Sequence, residues 1–443
     1  MSLVAGTSTV DISPRTPTAL FGYPKVRRVS TGVHDPLLVS LLYLRNGGSS
    51  VVTAAIDVIF LEPPAARDLR RAIANRVDTP EEHVFVSCTH THSGPVTAGL
   101  LSWKDDPCVP PPDPAYLHRL EEAAVEAARQ AAATAVPAEL AWTSAETDGV
   151  GGNRLSEDGP TDREAGVLFV RERGAGMPLA VALVYGMHPT VLHEDSTLVS
   201  SDFPHYTRQH IKEKLGSQVT VLYHTGPAGD QSPRRCVRAQ TFEEAERLGR
   251  KLGACVVDGI GGLTDGSFRS DCGLDGRIAT ADLPRKPMPS VTEARALVRE
   301  RRQAHEALRS GNAPRAVVRT AECAVFGAES LLALALAETR GDIRELIRRY
   351  EPFEVQAVRI GQHWLAGLPG ELFAEYGLRI KRETRHRAFP VSLVNGELQG
   401  YIVTPEAAAD GGYESANSVF AAEAGRVLVR KVVEIVGNGE GMR

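Results

Sequence analysis

Cysteine is sparse and unpatterned in this chain: Cys88, Cys108, Cys236, Cys255, Cys272 and Cys323 lie far apart. No CxxC or metal-finger spacing joins them, which argues against a thiolate metal site or a disulfide scaffold; free thiols in a reducing compartment are expected. An excess of one charge is also missing. The formal net charge is −5 over 443 residues and the arginines are scattered, so neither nucleic acid nor a charged membrane surface is expected as a partner. The opening Met1-Ser2-Leu3-Val4-Ala5-Gly6-Thr7 has no basic or apolar region of a secretion signal, and no apolar run of about 18 residues stands out as a membrane span. A soluble cytoplasmic protein is the expectation, with the oligomeric state left open. Repeats, low-complexity tracts and Pro/Gly/Ser-rich linkers are lacking too. The expected organisation is one domain over residues 1–443, with a charged helical excursion at about 285–350.

What is present is an ordinary globular composition, 42% hydrophobic and 24% charged, arranged as strands and helices in alternation. Val4–Ile12 and Ser49–Phe60 read as strands. Pro63-Pro64 opens a helix with Ala66, Leu69, Ile73 and Val77 on one face, and Val84–Cys88 is a buried strand. Strand, helix and strand in that order make a parallel crossover unit. Further strands are expected at Pro137–Thr147, Gly166–Arg171, Leu179–Met187 and Val219–Tyr223, with a hairpin over Phe353–Leu368 and a last clear strand at Phe389–Val394. Thr241-x-x-Glu244 and Ser290-x-x-Glu293 are capping boxes opening helices. The second helix has a narrow apolar face of Ala294, Leu297, Ala304 and Leu308. The class is α/β to α+β, mixed sheets flanked by helices, with a metal site at strand ends.

The chemistry concentrates at those ends. Strand Val84–Cys88 runs into Thr89-His90-Thr91-His92-Ser93-Gly94-Pro95. Strand alternation would turn His90 and His92 to one side, where two imidazoles can ligate a metal or pair a ligand with a proton carrier. His188 follows another strand, and Asn153-Arg154, Asp230-Gln231-Ser232, Glu371, Tyr401 and Tyr413 stand in loops or at element ends. Strand C-terminal edges are where α/β folds place their sites. Residue types and spacing reach a metal-dependent hydrolase and stop there. A binuclear amidohydrolase barrel, which also carries HxH, lacks a well-placed bridging lysine in this chain. A binding protein without turnover and an acyl transferase are further alternatives.

Several of these segments together resemble the catalytic domain of the neutral/alkaline, non-lysosomal ceramidase family. His90-Thr91-His92-Ser93-Gly94-Pro95 is similar to the family's HTHSGP, Gly229-Asp230-Gln231-Ser232-Pro233 to GDxSP, and Asn153-Arg154 to its Asn-Arg turn. Pro369-Gly370-Glu371, Gly400-Tyr401-Ile402-Val403-Thr404 and Tyr413-Glu414 match PGE, GYxxT and YE, all in family order. The resemblance implies Zn2+ held by His90, His188, Glu371 and Tyr401. It implies that His92, Arg154 and Tyr413 surround a reacting amide, and that Ser232 is a nucleophile or an anchor for a substrate hydroxyl; on the residues alone, Ser232-Pro233 is a plain turn. The implied partner is a small N-acyl substrate, cleaved by metal-activated water. Two departures are expected to matter. The family's secretion signal and C-terminal immunoglobulin-like domain are not seen, and Arg234-Arg235 follow Ser232 where the family commonly has Asn. Two guanidiniums suit a more polar, anionic substrate.

Overall fold

The computed structural model describes residues 2–437. Its larger sheet has eight strands in the order Thr220–Thr225, Pro178–Tyr185, Glu164–Glu172, Val136–Glu146, Val4–Asp11, Leu38–Asn46, Ser49–Ile56 and Val84–Cys88. The two outermost pairs are parallel and the five inner pairs antiparallel. This mixed order is not a parallel barrel. On Leu38–Asn46, Val39, Leu41 and Tyr43 join the core beneath helices α1 (Pro63–Val77) and α2 (Pro114–Ala133), while Leu42 and Leu44 face the other way. Both faces are covered, which is why such strands read as unbroken apolar runs rather than alternating ones. Helices α3 (Phe203–Leu215) and α4 (Phe242–Gly261) cover the far half of the same outer face.

Strand twist accumulates across the eight strands until the two edges of the sheet approach each other. Ser87 Oγ on one edge lies 2.7 Å from His224 Nδ1 on the other, and Thr225 Oγ1 donates to the Thr89 carbonyl at 2.9 Å. The segment after Val391 sits in the remaining gap, with Ser392 N donating to Thr225 O at 2.8 Å and Val394 bridged to Ser87. Curling therefore brings the ends of Val84–Cys88 and Pro178–Tyr185 together although six positions separate them in the sheet order. That placement creates the site.

The chain between the sheets runs through α5 (Val291–Ser310), α6 (Arg315–Arg340) and α7 (Asp342–Tyr350). Ser290 and Glu293 form the expected capping box. At α4, Thr241 caps Glu244 N, but the Glu244 carboxylate turns to Arg238 N and Arg247 instead of back to the cap, so the box is not closed there. The face of α5 also differs from expectation: Ala294 and Val298 are buried, whereas Ala304 is exposed. Within α6, Val317–Arg340 is long and apolar enough, by length and composition, to cross a membrane, correcting the expectation that no such stretch exists. Glu322 and Glu329 interrupt it, and it packs on α5, α7, α10 and the turn Leu101–Trp103.

The second sheet, in the order Leu274–Ala281, Phe353–Ile360, His363–Gly367 and Ala388–Val391, packs its inner face on the large sheet. Its outer face carries α8 (Ala374–Glu383) and α11 (Glu423–Gly437), giving a helix/sheet/sheet/helix stack. The small helices α9 (Pro405–Asp410) and α10 (Tyr413–Ala416) follow a two-residue strand, Tyr401–Ile402, beyond the last strand read from sequence. It pairs in parallel with Glu371–Leu372, setting Glu371 opposite Tyr401. Strands Leu38–Asn46 and Leu274–Ala281 were also not anticipated. After the histidines the chain packs through Trp103, burying Val96, Ala98, Leu100 and Trp103, and then runs mostly exposed to Pro114.

Candidate metal centre

The strand carrying the first histidines ends at Cys88, and His90 already has φ 67°, in the left-handed region. The alternation argument for His90 and His92 therefore does not operate. The chain turns, and the turn itself aims both rings inward. Backbone groups hold it: Thr89 N donates to Ile56 O and His90 N to Val58 O. Each imidazole is then clamped from behind. His90 Nδ1 lies 3.0 Å from Ile59 O, His92 Nδ1 3.1 Å from Gly22 O, and His188 Nδ1 2.6 Å from Ala228 O. A ring whose Nδ1–H donates to a carbonyl presents a bare Nε2, the tautomer and orientation that metal ligands need. Gly22, at φ 110°, is required here, because a Cβ would stand 2.6 Å from the His92 ring.

The three free nitrogens converge. The ligand atoms of His90, His92 and His188 lie within 4.8 Å of one another, with His90 Nε2 3.4 Å from His92 Nε2. Glu371 joins from the short parallel pair: its Oε2 is 3.1 Å from His90 Nε2 and 3.2 Å from His188 Nε2. Buried His188 Nε2 and Glu371 Oε2 have no hydrogen-bond partner, which is costly unless something else satisfies them. Bonds of about 2.0–2.1 Å to a tetrahedral ion imply donor–donor edges of roughly 3.3 Å. The His90–Glu371 and His188–Glu371 separations of 3.1 and 3.2 Å are close to such edges, with nitrogen and oxygen donors that suit a divalent cation. Among the described residues, His90, His92 and His188 are the one His/Cys/Asp/Glu group whose ligand atoms so converge.

Electrostatics follow from burial. Burial, then the neighbouring His90 and His188, hold His92 well below its ordinary value. Burial and the Arg154 cation lower His188 to about 4. Burial opposes the Glu371 charge, yet His90 and His188 keep its carboxyl well below the usual range. His92 and His188 are thus held neutral and the Glu371 carboxylate charged, the forms that bind metal.

Beside this cluster stands a second group. Arg154 Nε donates to Glu414 Oε1 at 2.7 Å, its guanidinium lies 5.3 Å from the Tyr401 ring centre, and the Tyr401 and Tyr413 rings are 6.0 Å apart. Burial works against the Arg154 charge, but Glu414, Tyr401 and Glu371 together raise its pKa, and its buried Nη2 lacks a partner. Burial and Glu371 push the Tyr401 phenol well up, and burial with Glu371 and Glu414 does the same at Tyr413. Gly400, at φ 108°, admits the Asn417 carbonyl where a Cβ would sit 1.8 Å away, which fixes the approach to Tyr401.

The other expected residues serve this frame or its edge. Asp230 ties three segments, accepting from Asn153 Nδ2 and Ala374 N while its carbonyl accepts from Arg154 N. Ser232 Oγ accepts from Arg234 N at 3.2 Å and caps the short turn Pro233–Arg235. Arg235 is taken up by Glu157 and the Asn153 carbonyl. Arg234 is exposed and has no ion pair among the described residues; it neighbours Cys323 on α6.

Several contributors escaped the sequence reading. Tyr23 sits 5.4 Å from the His92 ring and donates to Leu192 O at 2.8 Å. Fully buried Arg28 lies under the Tyr23 ring and donates to the His92 carbonyl at 2.8 Å. Phe21-Gly22-Tyr23-Pro24 offered a glycine–aromatic signal, but Arg28 looked like one more scattered arginine. Glu397, its pKa raised to about 8 by burial and by Glu371, sits unannounced in a loop.

No protein-family model matches the chain. It is 22% identical over 490 aligned positions to the neutral ceramidase of Mycobacterium tuberculosis (strain ATCC 25618 / H37Rv), spanning 94% of this chain and 74% of that protein. The crystal structure of neutral ceramidase from Pseudomonas aeruginosa superposes with a TM-score of 0.76 at 17% identity, over 98% of this chain and 74% of that one. A ceramidase complexed with C2 gives 0.73 at 15% identity, over 98% and 75%. With the motifs in order and the fold shared over almost the whole chain, this protein is a distant homologue of the neutral ceramidases.

Proposed function

We propose that the protein is a zinc-dependent hydrolase of a linear N-acyl amide, and that its preferred substrate is more polar than ceramide. The observation that carries the reading is the convergence of backbone-clamped imidazoles and Glu371 beside Arg154 and Tyr413. His90, His188 and Glu371 would hold the zinc, with Tyr401, opposite Glu371 in register, completing the set. Zinc in such a site supplies Lewis acidity that makes water a competent nucleophile near neutral pH.

The chain's own groups do the rest. Arg154, with an unused N–H, and the neutral Tyr413 hydroxyl are donors preorganised for an oxyanion in a water-poor pocket. His92 is half-buried where His90 and His188 are buried, and its Nδ1 is held by the Gly22 carbonyl, so its Nε2 is the nitrogen placed to take a proton on the substrate side and return it to the leaving amine. Ser232, its oxygen already capping a turn, anchors a substrate hydroxyl rather than attacking. With Arg235 engaged by Glu157, Arg234 is the guanidinium available to a substrate carboxylate or phosphate.

The test is kcat/KM for amine release from N-acyl substrates that differ only in charge, including a long-chain ceramide. Acidic substrates should lead, and Arg234→Ala should cost about tenfold on them alone, as expected for one charge-assisted hydrogen bond. Equal losses on neutral substrates would remove the polar preference, and absence of any amide cleavage would remove the hydrolase reading.

A further inference from the structure

A cavity of about 780 Å³, with none of the site histidines in its lining, lies between α5, α6 and the α9–α10 turn. This is within the range of roughly 300–1,000 Å³ typical of small-molecule sites. Met288, Leu297, Ala328 and Leu331 give it an aliphatic wall. At one end is Lys286, whose ammonium donates to the Ser415 carbonyl and has no carboxylate within ion-pair distance among the described residues. Two acids reach the rim, but the Glu293 carboxylate is committed to the Ser290 cap, and Asp410 forms no ion pair with Lys286. A half-buried cation with donors to spare is costly until an anion reaches it. Burial alone lowers its pKa to about 8, so it remains largely charged at neutral pH.

We infer that this groove binds an amphiphilic carboxylate, its head on Lys286 and its chain along the aliphatic wall. The choice of a fatty acyl anion, the product of N-acyl amide cleavage, rests on the hydrolase reading above; the charge and shape of the groove do not. The opposite wall includes Gly412 and Ser415, which flank Tyr413 on α10, and a Cβ on Gly327 of α6 would lie 3.0 Å from Tyr413 Cα. An acyl anion here touches the helix that positions a proposed oxyanion donor, a direct route for product to slow turnover.

Calorimetric titration of the full chain with sodium decanoate, below its micelle concentration, tests the site. Saturable binding to one site is expected, at least tenfold weaker in Lys286→Met and in Leu331→Trp, which fills the groove, and largely retained in Lys286→Arg. Decanol should bind at least tenfold more weakly than decanoate. Unchanged affinity in both Lys286→Met and Leu331→Trp, or decanol binding as well as decanoate, overturns the proposal. Circular dichroism checks the variants, and if Lys286→Met does not fold, Leu331→Trp decides. The titration needs no turnover: binding without amide cleavage keeps the groove and removes the hydrolase reading, and cleavage without binding does the reverse.

Discussion

The histidine pocket and the α5–α6 hairpin are built on opposite terms. In the pocket, His90 and His188 are 2% and 1% exposed, each ring is fixed by a backbone carbonyl, and the segments carrying them are fixed in turn by the curled sheet. On the hairpin, α5 buries only Ala294 and Val298, and its link to α6 includes the pair Arg302–Glu329 at 2.5 Å, whose arginine is exposed. Exposed ion pairs contribute about 0–1 kcal/mol, whereas buried donors left without partners cost more than that each. Chemistry is placed where the backbone over-determines the side chains, and the part facing the second cavity is the part that can adjust.

The largest expected effect separates the two regions directly. His90→Ala and His188→Ala should lose most of the metal measured by elemental analysis of protein purified without added zinc. Arg302→Ala on the hairpin should keep it and shift urea-unfolding stability by no more than about 1 kcal/mol. Full metal retention in both histidine variants would sink the assigned centre. A larger loss from Arg302→Ala would show the hairpin to be as tightly coupled as the pocket.

A second prediction divides the pocket itself. His92→Ala, Arg154→Ala and Tyr413→Phe should retain metal and each lose about 10²–10³ in kcat, the usual cost of one transition-state donor. If His92→Ala instead releases the metal, His92 is a ligand and the proton-carrying role passes elsewhere.

A third, more gradual effect concerns His224, behind the pocket, whose pKa burial lowers to about 4. Because the folded value lies below the unfolded value of about 6.5, the unfolded chain takes up the proton first as pH falls. The contribution of neutral His224 is therefore present above pH about 6.5 and declines by up to about 1.4 kcal/mol per pH unit on the way down to 4. His224→Asn, able to bond Ser87, should flatten that part of the stability–pH curve, measured by denaturant unfolding at constant ionic strength. An unchanged slope would mean that His224 is solvated or already charged in the folded protein.

The elements and the donors could be read from local order; their meeting could not. Apolar runs located most strands, Pro63-Pro64 marked a helix start, and Ser290 with Glu293 closed the box that they spelled. HTHSGP, PGE and GYxxT singled out His90, His92, Glu371 and Tyr401 through the family resemblance, and each motif is a local backbone device: a turn that aims histidines, and glycines at positive φ before Glu371 and Tyr401. Long-range packing decided what periodicity could not express. The left-handed His90 replaced strand alternation, the curled sheet joined Ser87 to His224, and Glu371 was laid beside Tyr401 in a two-residue pair too short to leave a pattern. Arg28 and Tyr23 became part of the centre only because an early loop packs over His92. Local sequence can specify a donor and the turn that presents it, since both depend on neighbouring dihedrals. Which donors share one ion depends on sheet twist summed over many strands, and that sum exists only in the folded chain.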